Sequence, residues 1–294
     1  MKKRLGLIIN PKAGLGGRVG LKGSDGEAIQ NQAISLGAVP HASERAKETL
    51  TELLSIKNEI EIVTYPANMG EDLAKSLGFQ TRVVGVIDPK NTKAEDTRQA
   101  ALDLAVFAPQ LIVFAGGDGT ARDIYDAMGL SSLVLGIPAG VKIHSAVFAT
   151  HPHTAGELAL QVFRSKKHDY QDAEVIDLDE DAYRAGDIKT HLYGYLRIPD
   201  EKQWTQNTKS PSLPSERAMA YEIATEVIRQ MEKDTLYILG PGTTTQAITS
   251  RLGIEKTLLG VDVLLNQHLL LRDANESQLI DILRKHPQSK IIIT

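Results

Sequence analysis

"IVFAGGDGTARDIYDAM", residues 112–128, runs from an apolar stretch through Gly-Gly-Asp-Gly-Thr into a segment with helical spacing. A short apolar run bounded by glycines reads as a buried strand, and apolar positions three and four apart read as a helix. The stretch therefore hands the chain from strand to helix through glycines, with the helix expected from about Thr120. Glycines tolerate positive φ and let a ligand approach the backbone without a Cβ in the way. The start of the helix turns free N–H groups and a partial positive charge toward the loop. These features make an anion site, and Asp118 is the odd member, because a carboxylate repels phosphates. Two roles resolve the conflict: Asp118 holds Mg²⁺ against the phosphates, or it accepts a proton from an attacking hydroxyl. Both belong to phosphoryl transfer. The plainer alternative is an Asp cap in a glycine turn, satisfying orphan N–H groups and nothing more.

Outward from this loop, apolar runs at 5–9, 59–66, 81–88, 111–116 and 133–140 read as strands. Helical patterns at 41–56, 70–78 and 92–109 separate them, and another helix is expected from Ser24, which has capping-box spacing with Glu27. Strands alternating with helices imply a mainly parallel sheet covered on both faces. In such sheets ligands bind at the carboxyl ends of the strands. The loop "NPKAGLGG" (10–17) and the loop at 116–120 both sit at such ends. Lys12 and Arg18 flank the first and could reach phosphate oxygens; the alternative is a pair of solvent-facing bases.

After residue 150 the texture changes. Thr154 and Glu157 have capping-box spacing, 173–179 and 191–199 read as strands, and the polar run 200–213, with the only Trp, reads as an exposed excursion. A helix over 215–232 places Tyr221, Ala224, Ile228 and Met231 along one stripe. "TLYILGPGTTTQAITSRLG" (235–253) repeats the strand, glycine loop, helix order; strands at 257–265 and 268–273 follow, then a helix from Asn275, with Gln278 three residues on. The chain stops on "KIIIT" (290–294), an apolar strand in want of a partner, and we read the sequence as shortened there. The expected fold class is α/β: a mainly parallel, Rossmann-like sheet domain over 1–150, then a β-rich α+β domain over 151–294. In "GIPAGVKIHSAV" (136–147), Lys142 is expected on phosphate and His144 or Ser145 on the ligand, the alternative being a helix start capped by Ser145. Thr243, Thr244 and Thr245 are hydroxyl donors to a ligand or a helix-cap run. His151 and His153 lack an acid cluster and make a weak metal ligand set, and Asp177, Asp179 and Asp181 read as a solvated strand face.

Composition narrows the partners. A formal charge of −4 gives no general attraction to nucleic acid or anionic membrane. Without cysteine, disulfides and thiolate metal sites are excluded, and a reducing compartment is compatible. "MKKRLGLIIN" has too short an apolar run for a signal peptide, and no stretch approaches 18 apolar residues. The expectation is a cytoplasmic protein with neither nucleic acid nor membrane as partner.

"GGDGT" (116–120) resembles the signature of a kinase superfamily that contains NAD kinases, diacylglycerol and sphingosine kinases and, more distantly, phosphofructokinases. "INPKAGLGG" (9–17) resembles the Asn-Pro-x-x-Gly stretch those kinases place near nucleotide phosphates. No Gly-Lys dipeptide exists, so there is no Walker A string, and "GLGGRVG" (14–20) misses the Gly-x-Gly-x-x-Gly pattern by one position. Within the superfamily the chain is similar to ATP- or polyphosphate-dependent NAD kinases, over "NPKAGLGGRVGLKGSDG" (10–26), "GGDGTARDIYDA" (116–127), "GIPAGVKIHSAVFATHP" (136–152) and "GPGTTTQAI" (240–248). The resemblance implies that Asp118 deprotonates the 2′-hydroxyl of the adenosine ribose, in a pocket lined by Gly116, Gly117, Gly119 and Thr120. It places Asn10, Lys12, Gly14, Gly16 and Gly17 by the nucleotide phosphates. It puts Gly242, Thr243, Thr244 and Thr245 near the dinucleotide, because "GPGTTT" resembles a Pro-Thr-Gly-Ser-Thr loop. It implies NAD and ATP (or polyphosphate) as ligands, Mg²⁺ with the donor, NADP as product, and a homo-oligomer, a dimer by analogy. The Asn-Glu pair that many NAD kinases use to hold substrate is not recognisable in the second half. Two alternatives stand beside this reading: a lipid or small-alcohol kinase of the same superfamily, against which the lack of a basic amphipathic surface counts, and a nucleotide-binding regulatory protein without turnover.

Overall fold

The structure, a computed structural model, describes residues 3–15, 35, 37–140, 143–165, 169–178, 190–200, 214–257 and 260–293. The chain divides into two compact units, the first ending its described part at residue 200 and the second spanning 214–293. Five parallel strands make the sheet of the first unit: β1 (Lys3–Ile9), β2 (Ile60–Thr64), β3 (Gln80–Val83), β4 (Leu111–Gly116) and β5 (Val134–Pro138), in spatial order β3-β2-β1-β4-β5. Its helices are α1 (Ala42–Glu52), α2 (Glu71–Ser76), α3 (Ala94–Ala105), α4 (Asp118–Met128) and α5 (Pro152–Arg164).

The central strands are apolar without alternation because both faces of the sheet are covered. Leu5, Leu7, Leu111 and Val113 share one core with Leu50 of α1 and Phe163 of α5. Ile8, Ile112 and Phe114 share the other with Leu104 of α3 and Ile124 of α4. The chain leaves β1 for β2 and β3 on one side, then crosses to β4 and β5 on the other. Strand order thus reverses between β1 and β4, and in open α/β sheets the ligand crevice lies beyond the carboxyl ends at such a point. The loops after Ile9 and after Gly116 leave the sheet there.

The first unit continues past residue 150, where the sequence texture suggested a boundary. Helix α5 packs on α1 so closely that a Cβ on Gly156 would stand 2.5 Å from the Thr49 carbonyl oxygen. The Thr49 hydroxyl donates to the Pro152 carbonyl at 2.8 Å. An antiparallel pair, β6 (Tyr170–Leu178) and β7 (Thr190–Pro199), buries Ala173, Val175, Leu196 and Ile198 in the core that holds Ile124. What changes near 150 is strand direction, from parallel to antiparallel, inside one unit. Helix α5 begins at Pro152 rather than Thr154, with His151 at the cap and proline at its first position, where a fixed φ and a missing N–H cost nothing. Ser24, Asp179, Asp181 and the run 201–213 lie outside the described residues.

The second unit is a four-stranded sheet with helices, made of β8 (Leu236–Leu239), β9 (Asp262–Leu265), β10 (His268–Leu271) and β11 (Ser289–Ile292), in order β10-β9-β8-β11. Strand β9 is antiparallel to both neighbours and β11 is parallel to β8. Helices α6 (Pro214–Arg229) and α7 (Thr243–Arg251) supply Ala224 and Ile248 to a core with Tyr237, Leu239 and Leu264. Helix α8 (Glu276–Lys285) supplies Leu279, Ile282 and Leu283 to another with Leu236, Ile238 and Val263. The inward stripe of α6 keeps Ala224 and Ile228, Met231 packs on the same core from beyond the helix end at Arg229, and Tyr221 is exposed, with Ala220 and Val227 inside instead. Helix α8 starts as its sequence predicts: Asn275 accepts from the Gln278 N–H and Gln278 accepts from the Asn275 N–H, both at 3.0 Å. Lys256 and Asp262 form a buried pair with Nζ 3.8 Å from Oδ2. Burial pulls the Lys256 ammonium below its usual range, against the opposing pull of Asp262 and Asp273. The fold is α/β, a Rossmann-like parallel sheet followed by a sheet-rich unit. No helix among the described residues is long and apolar enough to cross a membrane.

Candidate active site

Two loops are tied together beyond the carboxyl ends of β1 and β4. The Asn10 N–H donates to the Ala115 carbonyl at 3.0 Å, carrying the strand pairing one residue further. Its side chain then works in two directions. Oδ1 accepts from the Lys12 N–H at 3.0 Å, closing an Asx turn, and Nδ2 donates to the Thr120 hydroxyl at 3.0 Å. An aspartate would lack that donor, which is the physical reason for asparagine here. Asn10 of the first loop is thus bonded to Thr120 of the second.

Thr120 is buried as the third residue of α4, and its side chain lies over Gly116. A Cβ on Gly116 would stand 2.3 Å from Thr120 Oγ1, so glycine is required by this packing. Gly14 is left-handed, with φ 84°, and a Cβ there would stand 2.5 Å from the Ala139 carbonyl oxygen. The first loop therefore presses on the segment leaving β5, which is itself joined to Gly116 by the Ala139 N–H at 2.9 Å. Gly117 differs. Its φ of −123° suits any residue, and the nearest atom to a Cβ would be Gly140 Cα at 3.6 Å, an ordinary contact. Packing within the chain does not call for glycine at 117.

Asp118 is the first residue of α4, two positions earlier than expected, and Gly117 is the cap. The carboxylate bonds a different segment: Oδ2 accepts from the His144 N–H and Oδ1 from the Ser145 N–H, each at 2.9 Å. These bonds do not fit the plain Asp-cap alternative. A carboxylate has about four acceptor positions, so two amides fix its orientation and leave lone pairs for a proton or a cation.

Ser145 was expected on a ligand, but it is buried and its hydroxyl is engaged elsewhere. Oγ accepts from the Ile176 N–H at 3.0 Å and donates to the Ile176 carbonyl at 3.4 Å. No helix starts at Ser145. His144 contributes its N–H, and its side chain is half-buried. Gly119 is half-buried in the first turn of α4. Gly16, Gly17, Arg18 and Lys142 lie outside the described residues. His153 pairs at the surface with Glu52 at 3.4 Å and Glu157 at 3.7 Å. Among the described residues no group of three or more His, Asp or Glu gathers to hold a metal ion.

In the second unit, Thr245 is buried, and its hydroxyl lies 2.7 Å from the Gly240 carbonyl and 3.0 Å from that of Gly242. That hydroxyl serves its own loop rather than a ligand. Gly242 caps α7, Thr243 is exposed and Thr244 half-buried. The single Asn-Glu dipeptide of the second half, Asn275-Glu276, caps α8.

What sequence reasoning missed is the backbone part of the site. The amides of His144 and Ser145 and the main chain of Ile176 leave no residue-type signature. Ser145 was visible only as a hydroxyl near the loop.

The five-stranded parallel sheet, with an acid-bearing glycine loop at its switch point, makes the first unit a Rossmann-like α/β domain. The ATP-NAD kinase N-terminal domain family matches residues 5–167, more than half of the chain and the segment that holds Asn10, Asp118 and Ser145. The chain belongs to the ATP-NAD kinase family. No curated protein matches it.

Proposed function

We propose that this chain transfers the terminal phosphoryl group of ATP, or of a polyphosphate, to the 2′-hydroxyl of NAD, forming NADP. The observation that carries the reading is Asp118, fixed by two amides at 2.9 Å beyond the carboxyl ends of the sheet, with lone pairs to spare. In the proposed step the ribose oxygen attacks the terminal phosphorus as its proton passes to Asp118. An O–P bond forms, the phosphoanhydride bond breaks, and ADP or a shortened polyphosphate departs. The N–H groups opening α4 face the charge that spreads over the transferring group. Most of the rate gain then comes from positioning and charge stabilisation. A phosphate lying against the backbone accounts for glycine at 117, where chain packing does not. Mg²⁺ fits as an ion carried in on the donor's phosphates, since the loop at 116–120 offers one carboxylate, Asp118, and such ions take one or two carboxylates plus phosphate and water. When bound, it neutralises charge on those phosphates.

The test is a product assay. The purified chain is incubated with NAD and Mg²⁺ and either ATP or polyphosphate, and mass spectrometry reads the products, with diacylglycerol and a sphingoid base as parallel acceptors. NADP is expected in at least one arm. Unchanged NAD in every arm, with or without a phosphorylated lipid, rejects the reading.

A further inference from the structure

We infer that Ser145 is a positioning residue, which holds Asp118 in place through its main chain while its buried hydroxyl anchors the loop to the main chain of Ile176 in β6. The inference rests on the role given to Asp118 above. Two consecutive N–H groups, those of His144 and Ser145, converge on one carboxylate. Successive amides aimed the same way form a small anion-binding concavity, a geometry that an extended segment does not offer. Residues 143–145 belong to neither a helix nor a strand, so their shape must be imposed from outside.

The Ser145 hydroxyl imposes it. The register of β6 against β7 shifts between Val175 and Ile176, where Tyr193 of β7 is the extra residue and Ile176 of β6 stays paired with Leu192. Both main-chain groups of Ile176 meet the Ser145 hydroxyl, its N–H at 3.0 Å and its carbonyl at 3.4 Å. The following residues are fixed in turn: the Ala146 N–H donates to the Glu174 carbonyl at 2.9 Å, and the Gly136 N–H to the Val147 carbonyl at 2.9 Å. A continuous path of hydrogen bonds therefore runs from β6 through Ser145 to the Asp118 carboxylate. The hydroxyl is fully buried, so it acts on the reaction only through that path.

The test uses the full chain and two readouts, so that this inference and the functional reading can fail separately. Hydrogen exchange of the 144 and 145 amides is compared in wild type and Ser145→Ala, with the β4 amides as reference. Loss of about tenfold or more in protection at 144 and 145, with β4 unchanged, is expected whether or not the chain makes NADP. Steady-state NADP formation is the second readout: kcat falls about ten- to a hundredfold, as expected for a misplaced group, while KM for NAD stays within about twofold. If Ser145→Ala does not fold, Ser145→Cys, of similar size with only a weak donor and acceptor, carries the same comparison. Unchanged protection at 144 and 145 overturns the inference. So does protection lost evenly across the sheet, or a rise in KM at constant kcat. Absence of NADP in wild type rejects the functional reading alone, and the exchange result still decides the hydrogen-bonded path.

Discussion

Two loops of the same grammar, one in each unit, differ in what their side chains are tied to. After β4 and after β8, glycines lead into a helix whose third residue is a buried threonine, Thr120 in one and Thr245 in the other. In the second loop that hydroxyl turns back on the carbonyls of Gly240 and Gly242. In the first loop it accepts from Asn10, 110 residues away in sequence. The helices also open differently: α7 begins with the exposed Thr243, whereas α4 begins with an acid held by the amides of a third segment. A strand, glycine, helix turn therefore needs neither an acid nor distant partners to form. Asn10 and Asp118 tie the first loop to two other segments, through Thr120 and through the amides of His144 and Ser145, ties that the second loop forms without.

The contrast can be broken most severely at Gly116. Gly116→Ala drives a Cβ into Thr120 and displaces the hydroxyl that Asn10 reaches, so a loss of about 2–3 kcal/mol in denaturant unfolding is expected. A loss under about 0.5 kcal/mol would mean that Thr120 moves aside freely and the two loops are not coupled. Asn10→Asp removes the Nδ2 donor and keeps the Asx turn, and should cost about 1–2 kcal/mol with a further fall in NADP formation. Thr245→Val leaves two loop carbonyls without their hydroxyl donor and should cost about 1 kcal/mol. The smallest effect concerns an acid near the amino end of β2, in the five-stranded sheet of the first unit. Glu61 is buried, yet Arg82 and Arg4, each within 3.2 Å, outweigh that burial and hold its carboxyl below the ordinary value of 4.5. A lowered folded-state value means that the contribution is present above pH 4.5 and is lost as pH falls through the folded value. Both guanidiniums are partly exposed, so Glu61→Gln should cost about 1 kcal/mol or less at neutral pH. The gap between wild type and variant should close on acidification, and a gap that widens would reverse the assignment.

Much of this was legible in the sequence because it rests on side-chain patterning. The unbroken apolar runs of β1 and β4 announce strands covered on both faces, and Asn275 with Gln278 announces the start of α8. Asp118 stood out because a carboxylate conflicts with phosphate in a loop otherwise suited to an anion. Other features were hidden for definable reasons. Thr154 and Glu157 have capping-box spacing, but Pro152 at the first helical position overrides them. The apparent boundary at 150 reflects a change of strand direction, while the contacts of Gly156 and Thr49 are long-range and invisible to composition. Ser145 looked like a ligand contact because its hydroxyl was seen and the Ile176 main chain that meets it was not.

The most direct measurement is the kinetics of NADP formation by Asp118→Asn, made alongside NAD binding and thermal unfolding of the same protein. Asparagine offers one acceptor oxygen where the carboxylate offers two, so a small drop in Tm is expected together with retained NAD binding. Turnover should fall about 10²- to 10⁴-fold, the usual worth of a positioned general base. NADP formation at the wild-type rate by a folded Asp118→Asn protein would contradict the account at its centre.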